Sequence, residues 1–326
     1  MISSLLIYTS EHLNPYINLA TEKFLFENLP KNSLTLYLWQ NENTVVIGKN
    51  QNPWAESNCE LLKNEGGLVA RRMSGGGAVF HDKGNLNFTF IADDENFDIS
   101  RHLEIIKKGC AECGIEAEIS GRNDILANGR KFSGNAFYHS GGRSYHHGTI
   151  LISGDKEKLK RYLTPGPEKL KAKGVKSVES RTVNLCEITP DLTAEKMKNY
   201  IISAAEKELG LKAKFIPLIE DEKLQEDTRL FSSWDFIFGK ALPFQVSVTD
   251  RLSFGVCELN LNLENGKISE AALFTDALDT AISEHLKRTI ENCEFTLEAL
   301  AKCIKKEFNE TISNELIKLI EKALMQ

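Results

Sequence analysis

The chain reads as an α+β protein built on a mixed or antiparallel sheet, and three observations predict this. Leu86, Phe88 and Phe90 alternate with Asn85, Asn87 and Thr89, which is the period of a strand with two different faces. Asn128-Gly129 and Asn265-Gly266 are the dipeptides of tight hairpins. Helical patterns flank the strand-like runs without strict β–α–β alternation.

The elements follow in order. Asn14-Pro15 is a helix cap with proline in the first turn, and Ile17, Ala20 and Phe24 recur at helical spacing, predicting a helix over 15–28. Leu34 to Trp39 and Thr44 to Ile47 read as strands joined by a polar turn. A short helix follows Pro53. Arg101 to Cys113 reads as a helix closed by Gly114. A meander comes next. Asn123 to Ala127 is one strand, Arg130 to Tyr138 returns across Asn128-Gly129, and His147 to Ser153 is the third after Ser140-Gly141-Gly142-Arg143. From Thr164 to Asn184 the pattern breaks into a long basic loop with Pro165, Pro167 and Gly174. Thr193 to Leu209 is a helix. Phe231 to Phe244 reads as an extended segment. Leu252 to Leu263 and Lys267 to Phe274 form a hairpin about Asn265-Gly266, and helical spacing such as Leu297, Leu300 and Ile304 continues towards Gln326. We place a boundary near 245–251, giving a first domain over 1–246 and a small α/β module over 252–326.

At 326 residues, with 41% hydrophobic and 26% charged residues, the chain has the make-up of a globular protein with a sizeable core. A net charge of −6 argues against a protein made for nucleic acid or an anionic membrane surface. No apolar run approaches the roughly 18 residues of a membrane span, and Met1 to Ser10 does not resemble a signal peptide. Seven cysteines at irregular spacing fit reduced thiols in a cytoplasm. Cys110 and Cys113 form a lone C-x-x-C one helical turn apart, without the second pair of a zinc site.

The candidate chemistry lies in the first 246 residues. Arg71-Arg72-Met73-Ser74-Gly75-Gly76-Gly77-Ala78-Val79-Phe80-His81-Asp82 joins two guanidiniums to a glycine run and a strand. Guanidiniums fork onto carboxylates and phosphates, and glycines let backbone approach a ligand, so this reads as a pocket for an anionic small molecule. A plain turn between strands is the competing reading. Neither a Walker loop nor a dinucleotide fingerprint is present, since Phe80 stands where a third glycine belongs. In Gly121-Arg122-Asn123-Asp124 the carboxylate suits a magnesium ion or an Asx turn. In Arg130-Lys131-Phe132-Ser133-Gly134, strand alternation puts Lys131 and Ser133 on one face. His146 and His147 point to opposite sides of a strand and so do not chelate one metal. Cys186 is the cysteine nearest these islands, but a catalytic thiol needs a base beside it.

Taken together these islands resemble the lipoate–protein ligase family. The glycine segment resembles that family's lipoate-binding loop. The Gly121, Arg130 and His146-His147-Gly148-Thr149 islands follow in its order and spacing, as does Asn52-Pro53-Trp54 upstream. Lys171-Ala172-Lys173-Gly174-Val175 through Arg181 to Asn184 is similar to its adenylate-binding loop, and Ser232-Ser233-Trp234 and the final module are similar to the rest. The resemblance covers essentially the whole chain. It implies a biotin/lipoate-ligase-type mixed sheet with flanking helices and a small C-terminal accessory domain.

The implied reaction is ATP-dependent, with Mg²⁺. The lipoate carboxylate attacks the α-phosphate to give lipoyl-AMP and pyrophosphate, and a lysine amine then takes the lipoyl group. By the same resemblance Lys131 is the catalytic cation and Asp124 the metal or nucleotide ligand. Lipoate and ATP fall to Arg72, Gly75, Gly76, Gly77, Ala78, Val79, Phe80, His81, Asn85, Asn123, Lys131, Ser133, His147, Gly148, Lys173, Val175 and Arg181. Residues 164–184 are expected to order over the adenylate. Leu86, Phe88 and Phe90 are open to two readings, a wall for the lipoyl tail or core. The expected acceptors are lipoyl domains of 2-oxoacid dehydrogenase E2 subunits, the glycine-cleavage H protein, or both. A cytoplasmic monomer without nucleic-acid or membrane partners is expected. Three rivals remain: a biotin ligase, disfavoured by the lack of an Arg-rich glycine loop; an ATP-independent lipoyl or octanoyl transferase using Cys186; and a non-catalytic carrier or sensor using Cys110 and Cys113.

Overall fold

The computed structural model describes residues 1–121, 124–163, 182–219, 221–238 and 245–324. The chain opens with β1 (Ser4–Thr9), α1 (Pro15–Glu27), β2 (Ser33–Trp39) and β3 (Thr44–Ile47). Short helices α2 (Pro53–Glu56) and α3 (Cys59–Asn64) lead to β4 (Leu68–Arg71), β5 (Val79–His81) and β6 (Asn85–Asp93). Helix α4 (Ile99–Glu112) precedes the meander of β7 (Glu118–Ser120), β8 (Asp124–Ala127), β9 (Arg130–Ser140) and β10 (Arg143–Leu151). Next come α5 (Lys156–Tyr162), α6 (Ala194–Leu209), β11 (Ala213–Phe215), α7 (Glu222–Ser232) and α8 (Trp234–Ile237). The last part holds β12 (Val246–Leu252), β13 (Gly255–Glu264), β14 (Lys267–Thr275), α9 (Ile282–Ile290), α10 (Leu297–Glu307) and α11 (Glu310–Leu324).

Eight strands form one sheet in the order β11-β1-β2-β6-β10-β9-β8-β7. β1 runs parallel to β2 and β11, whereas β6, β10 and β9 pair antiparallel, so the sheet is mixed. One face carries Leu36, Leu86, Phe88 and Phe90 against Ile105 and Ile106 of α4 and Ile201 of α6. Burying each such side chain contributes about 1.5–3 kcal/mol. That face is core, which settles the reading of Leu86, Phe88 and Phe90. The opposite face packs Tyr37, Trp39, Ile91 and Tyr145 against α1 and α7.

Helix α1 begins as its sequence requires, with the Tyr16 N–H donated to Asn14 Oδ1 and Pro15 in the first turn. Its inner stripe is unusual in burying Asn18 and Glu22 among apolar neighbours. Asn18 is satisfied by the His12 and Gln40 carbonyls and by Asn41 Oδ1.

A second sheet, β4-β3-β5, lies apart from the large one. The strands on either side of the polar turn at 40–43 therefore enter different sheets. This places the glycine segment, between the end of β4 and the start of β5, where the two sheets meet. The third sheet, β12-β13-β14, packs its own core of Leu259, Leu261 and Ile268 against Leu286, Ile304 and Leu316 of α9, α10 and α11.

Several local expectations change. β10 starts at Arg143 rather than His147, because the turn is only Gly141-Gly142, both at positive φ. Residues 231–238 are not extended. Helix α7 runs to Ser232, and α8 starts with Ser233 Oγ capping the Phe236 N–H. The run read as one strand from Leu252 is split by a turn, and β12, covering the segment read as a boundary, pairs wholly with β13.

Candidate functional site

A cavity of about 120 Å³ opens where the two main sheets meet. Leu19, Trp39, Val46 and Val79 supply apolar walls. Arg72, Gly76, Gly77, Ala78, His81, Asn87, Lys131, Gly134, Asn135, Ala136, His147, Gly148 and Thr149 line the rest.

The two arginines act differently from the expectation that both fork onto a ligand. Arg71 is buried and spends its guanidinium on backbone carbonyls. Nη1 donates to Gly48, Lys49 and Gln51 at 3.1, 2.9 and 2.8 Å, and Nε to Phe236 at 2.9 Å, while Nη2 donates to Ile237. It ties the loop after β3 to α8. Arg72 donates from Nη2 to Gly75 and Gly77 at 2.7 and 2.8 Å, from Nη1 to Val46 at 3.2 Å, and from Nε to Ser74 Oγ at 3.0 Å. It is the internal frame of the glycine loop. The reason is burial: a guanidinium away from water must satisfy its donors, and the loop carbonyls are nearest. Desolvation lowers both to about 10, which still leaves them charged at neutral pH.

Glycine is required at Gly75 and Gly76. A Cβ at Gly75 would lie 2.1 Å from the Ala277 carbonyl oxygen, and Gly76 has φ +90°. The Gly76 N–H donates to that same carbonyl at 3.2 Å. Gly75 is thus packed against the segment after β14 and does not line the cavity, whereas Gly77 has open space before it.

A hydrogen-bonded chain runs behind the cavity. The Trp39 indole N–H donates to Thr89 Oγ1 at 3.1 Å, and that hydroxyl donates to Glu22 Oε1 at 2.7 Å. His147 Nδ1 lies 2.8 Å from the same carboxylate oxygen, and its Nε2 lies 2.7 Å from Ser74 Oγ. With the proton on Nδ1, His147 donates to Glu22 and accepts from Ser74, and Ser74 accepts from Arg72. Every donor then has an acceptor. His146, on the other face, packs against Phe88 and Phe137 and reaches Asn135 Oδ1 from Nε2 at 2.8 Å.

Two buried nitrogens on the lining have no partner: His81 Nε2 and Asn87 Nδ2. Asn41 Oδ1 accepts from Asn18, so Asn41 Nδ2 donates to His81 Nδ1, at 3.1 Å. His81 Nε2 therefore carries the hydrogen. Burial, and then the charge of Arg72, pushes His81 down to about 3, so the ring is neutral at neutral pH. Both nitrogens are donors for an oxygen-rich ligand.

Lys131 stands at the cavity with Nζ 2.6 Å from Asp124 Oδ1. A register shift places Ser133 opposite Ile125 and Lys131 opposite Leu126. This interrupts the alternation that puts Lys131 and Ser133 on one face. Ser133 is fully buried and does not line the cavity. The Lys131 carbonyl accepts from the Val183 N–H at 3.0 Å, so the chain entering at Thr182 is anchored on the lysine's own strand.

Of the other expected residues, Ala78, Val79, His147 and Gly148 line the cavity. Phe80 does not. It packs on Tyr162 in the core of the small sheet, because it alternates to the far side of β5. Asn85 also lies outside the lining, bonded to Asn87 Oδ1 at 2.9 Å. Asn123, Lys173, Val175, Arg181 and the loop 164–181 lie outside the described residues. Cys186 sits on a one-turn helix with its N–H bonded to the Ile152 carbonyl and does not line the cavity. Among the described residues no group of three or more His, Cys, Asp or Glu could hold a metal, so an ion at Asp124 would have to share its coordination with a ligand's oxygens. Sequence reading missed Glu22 and Trp39, and it gave no role to Thr89 and Asn135, which lie within the Arg71–Phe90 and Arg130–Asn135 stretches. Glu22 carried a signal, a carboxylate in the Leu19-Glu22-Phe26 stripe of helix α1.

A mixed sheet with a glycine-loop cavity on one face, a cationic rim and a separate C-terminal sheet is the architecture of the lipoate-ligase fold. The family model of the lipoyl protein ligase A/B catalytic domain matches residues 14–206, and that of the bacterial lipoate protein ligase C-terminus matches 241–321. The lipoate-protein ligase A of Bdellovibrio bacteriovorus is 36% identical over 312 residues, covering 93% of this chain and 92% of that protein. That of Psychrobacter cryohalolentis is 39% identical over 299 residues, covering 89% and 88%. The crystal structure of P. falciparum LipL1 in complex with lipoate superposes with a TM-score of 0.86 at 33% identity, covering 98% of this chain and 100% of that one. The chain belongs to the lipoate–protein ligase family, and its activity is lipoate–protein ligation.

Proposed function

We propose that the cavity between the two main sheets is where this ligase joins lipoate to ATP, with Lys131 as the catalytic cation. The observation that carries this is the Lys131 ammonium on the rim of a cavity whose walls are apolar at Leu19, Trp39 and Val79. The acyl tail lies against those walls, and the carboxylate meets Lys131. A carboxylate and a triphosphate repel each other, so bringing them together needs fixed positive charge and donors. Lys131 supplies the charge. The Gly77–Ala78 backbone and His81 Nε2–H supply donors. The carboxylate oxygen attacks the α-phosphorus and pyrophosphate leaves. The resulting mixed anhydride is then open to a lysine amine, which takes the lipoyl group as AMP leaves.

Asp124 suits magnesium as its one protein carboxylate, with phosphates completing the shell, and the ion would offset phosphate charge. The acceptor we propose is the lysine of a lipoyl domain on an E2 subunit or a glycine-cleavage H protein. We assign the reaction to the residues before β12 and an accessory role to the module that β12 opens. A cytoplasmic monomer is proposed, in keeping with seven unpaired cysteines; no described helix is long and apolar enough to cross a membrane.

Exchange of labelled pyrophosphate into ATP tests the first half-reaction. It should require both lipoate and Mg²⁺ and proceed without any acceptor protein. Exchange that ignores lipoate would overturn the proposal.

A further inference from the structure

The C-terminal module holds a pair of thiols unrelated to the cavity. Cys293 Sγ and Cys303 Sγ lie 3.2 Å apart. Cys293 sits just after α9, on a segment that returns along β14. The Ile268 N–H donates to its carbonyl at 3.0 Å, the Asn292 N–H donates to the Ile268 carbonyl at 2.8 Å, and Lys267 bridges to Glu294. Cys303 sits midway along α10. Both cysteines are half-buried, so small reagents can reach them. The lone C-x-x-C is a poorer pair. Cys110 is fully buried, and the Cys113 thiol is turned to the Cys110 carbonyl at 3.0 Å.

We propose that Cys293 and Cys303 form a reversible modification site, oxidised by hydrogen peroxide to a disulfide that ties the β14-flanking segment to α10. The Cys303 thiolate attacks one peroxide oxygen and hydroxide leaves, giving a sulfenic acid on Cys303. The Cys293 sulfur then attacks that sulfur, the S–O bond breaks, and water leaves with the thiol proton. Two electrons pass from the sulfurs to the peroxide, which ends as two waters. Burial and the neighbouring Cys303 sulfur push the Cys293 thiol up to about 11, which fits Cys293 as the second partner. The new bond closes a short loop within the module and removes freedom from its unfolded state.

The test treats the full-length protein with a small excess of hydrogen peroxide. The expected result is loss of two of the seven titratable thiols, a peptide linking Cys293 to Cys303, reversal by dithiothreitol, and a rise of a few degrees in the unfolding midpoint of the module. In Cys293→Ser, Cys303 should instead accumulate a sulfenic acid that dimedone traps. Seven thiols surviving in the wild type, or oxygen added at either cysteine with no crosslink, would overturn the proposal. These readouts do not depend on ligase activity.

Discussion

Lys131 Nζ reaches Asp124 Oδ1 at 2.6 Å by crossing the space over Gly134, the residue paired opposite Asp124. A Cβ on Gly134 would stand 3.0 Å from that ammonium nitrogen. The absence of a side chain at Gly134 thus sets where the lysine's charge lies. Gly134→Val should displace the ammonium and lower lipoate-dependent pyrophosphate exchange by roughly 10²-fold, as a shift of about 1 Å can do. Its melting temperature should change little, because the displaced group is the end of a half-exposed side chain. Undiminished exchange in this variant would argue against a role for the lysine's position.

Glu22 accepts from both Thr89 and His147 in a buried setting. Glu22→Ala leaves those donors without an acceptor, at a cost of about 1–3 kcal/mol. Thermal unfolding should show that loss. The His147 ring should also lose its fixed orientation beside the cavity, raising the KM for lipoate more than that for ATP. Equal effects on both substrates would place Glu22 outside the acyl end of the cavity.

Arg71 is a staple between the loop after β3 and helix α8, not a ligand contact. Arg71→Ala should lower the unfolding midpoint by several degrees in calorimetry, since several buried carbonyls lose their donor at about 1–3 kcal/mol each. Arg71→Lys should restore little, because an ammonium cannot reproduce the planar fork. A variant that melts like the wild type but fails to bind ATP would reverse this assignment.

Three buried imidazoles make the fold sensitive to acid. Burial holds His81 and His102 down to about 3, and His146 well below its ordinary value. In the unfolded chain these rings take up protons near pH 6.5. Between the two ranges the unfolded chain binds more protons, so their contribution is complete above about pH 6.5 and is lost as pH falls towards 3. The slope is roughly 1.4 kcal/mol per pH unit for each ring at most. Urea midpoints at about pH 7.5 and about pH 5 should differ accordingly. His102→Phe should shrink that difference, since His102 stacks on Phe90 at 4.6 Å and neither ring nitrogen has a partner. A midpoint independent of pH would contradict this account.

Much of this molecule is legible in its sequence, for physical reasons. Asn14-Pro15, Asn128-Gly129 and the period of two through Leu86, Phe88 and Phe90 are local signals, and each appears in the structure where local chemistry puts it. The glycine run, Arg72, His81, Lys131 and His147 stand out in the sequence as separate islands, and the structure brings them to one cavity. What stays hidden is set by distant parts of the chain. Nothing near Arg71 reveals that its partners are carbonyls at 236–237. The register shift that separates Ser133 from Lys131 depends on pairing with β8. Glu22 reaches His147 only because α1 crosses the sheet at that height. Residues 231–238 look extended by composition and are helical because Ser233 caps α8 and α8 meets Arg71.

The most direct test of the central claim is AMP release with Mg²⁺-ATP, lipoate and a purified lipoyl domain, read together with the intact mass of that domain, for wild type and Lys131→Ala. The wild type should release AMP as the domain gains one lipoyl group, and the variant should fall by roughly 10²–10³ in rate while keeping its melting temperature. A Lys131→Ala protein that lipoylates the domain at the wild-type rate would contradict the assignment of Lys131 as the catalytic cation.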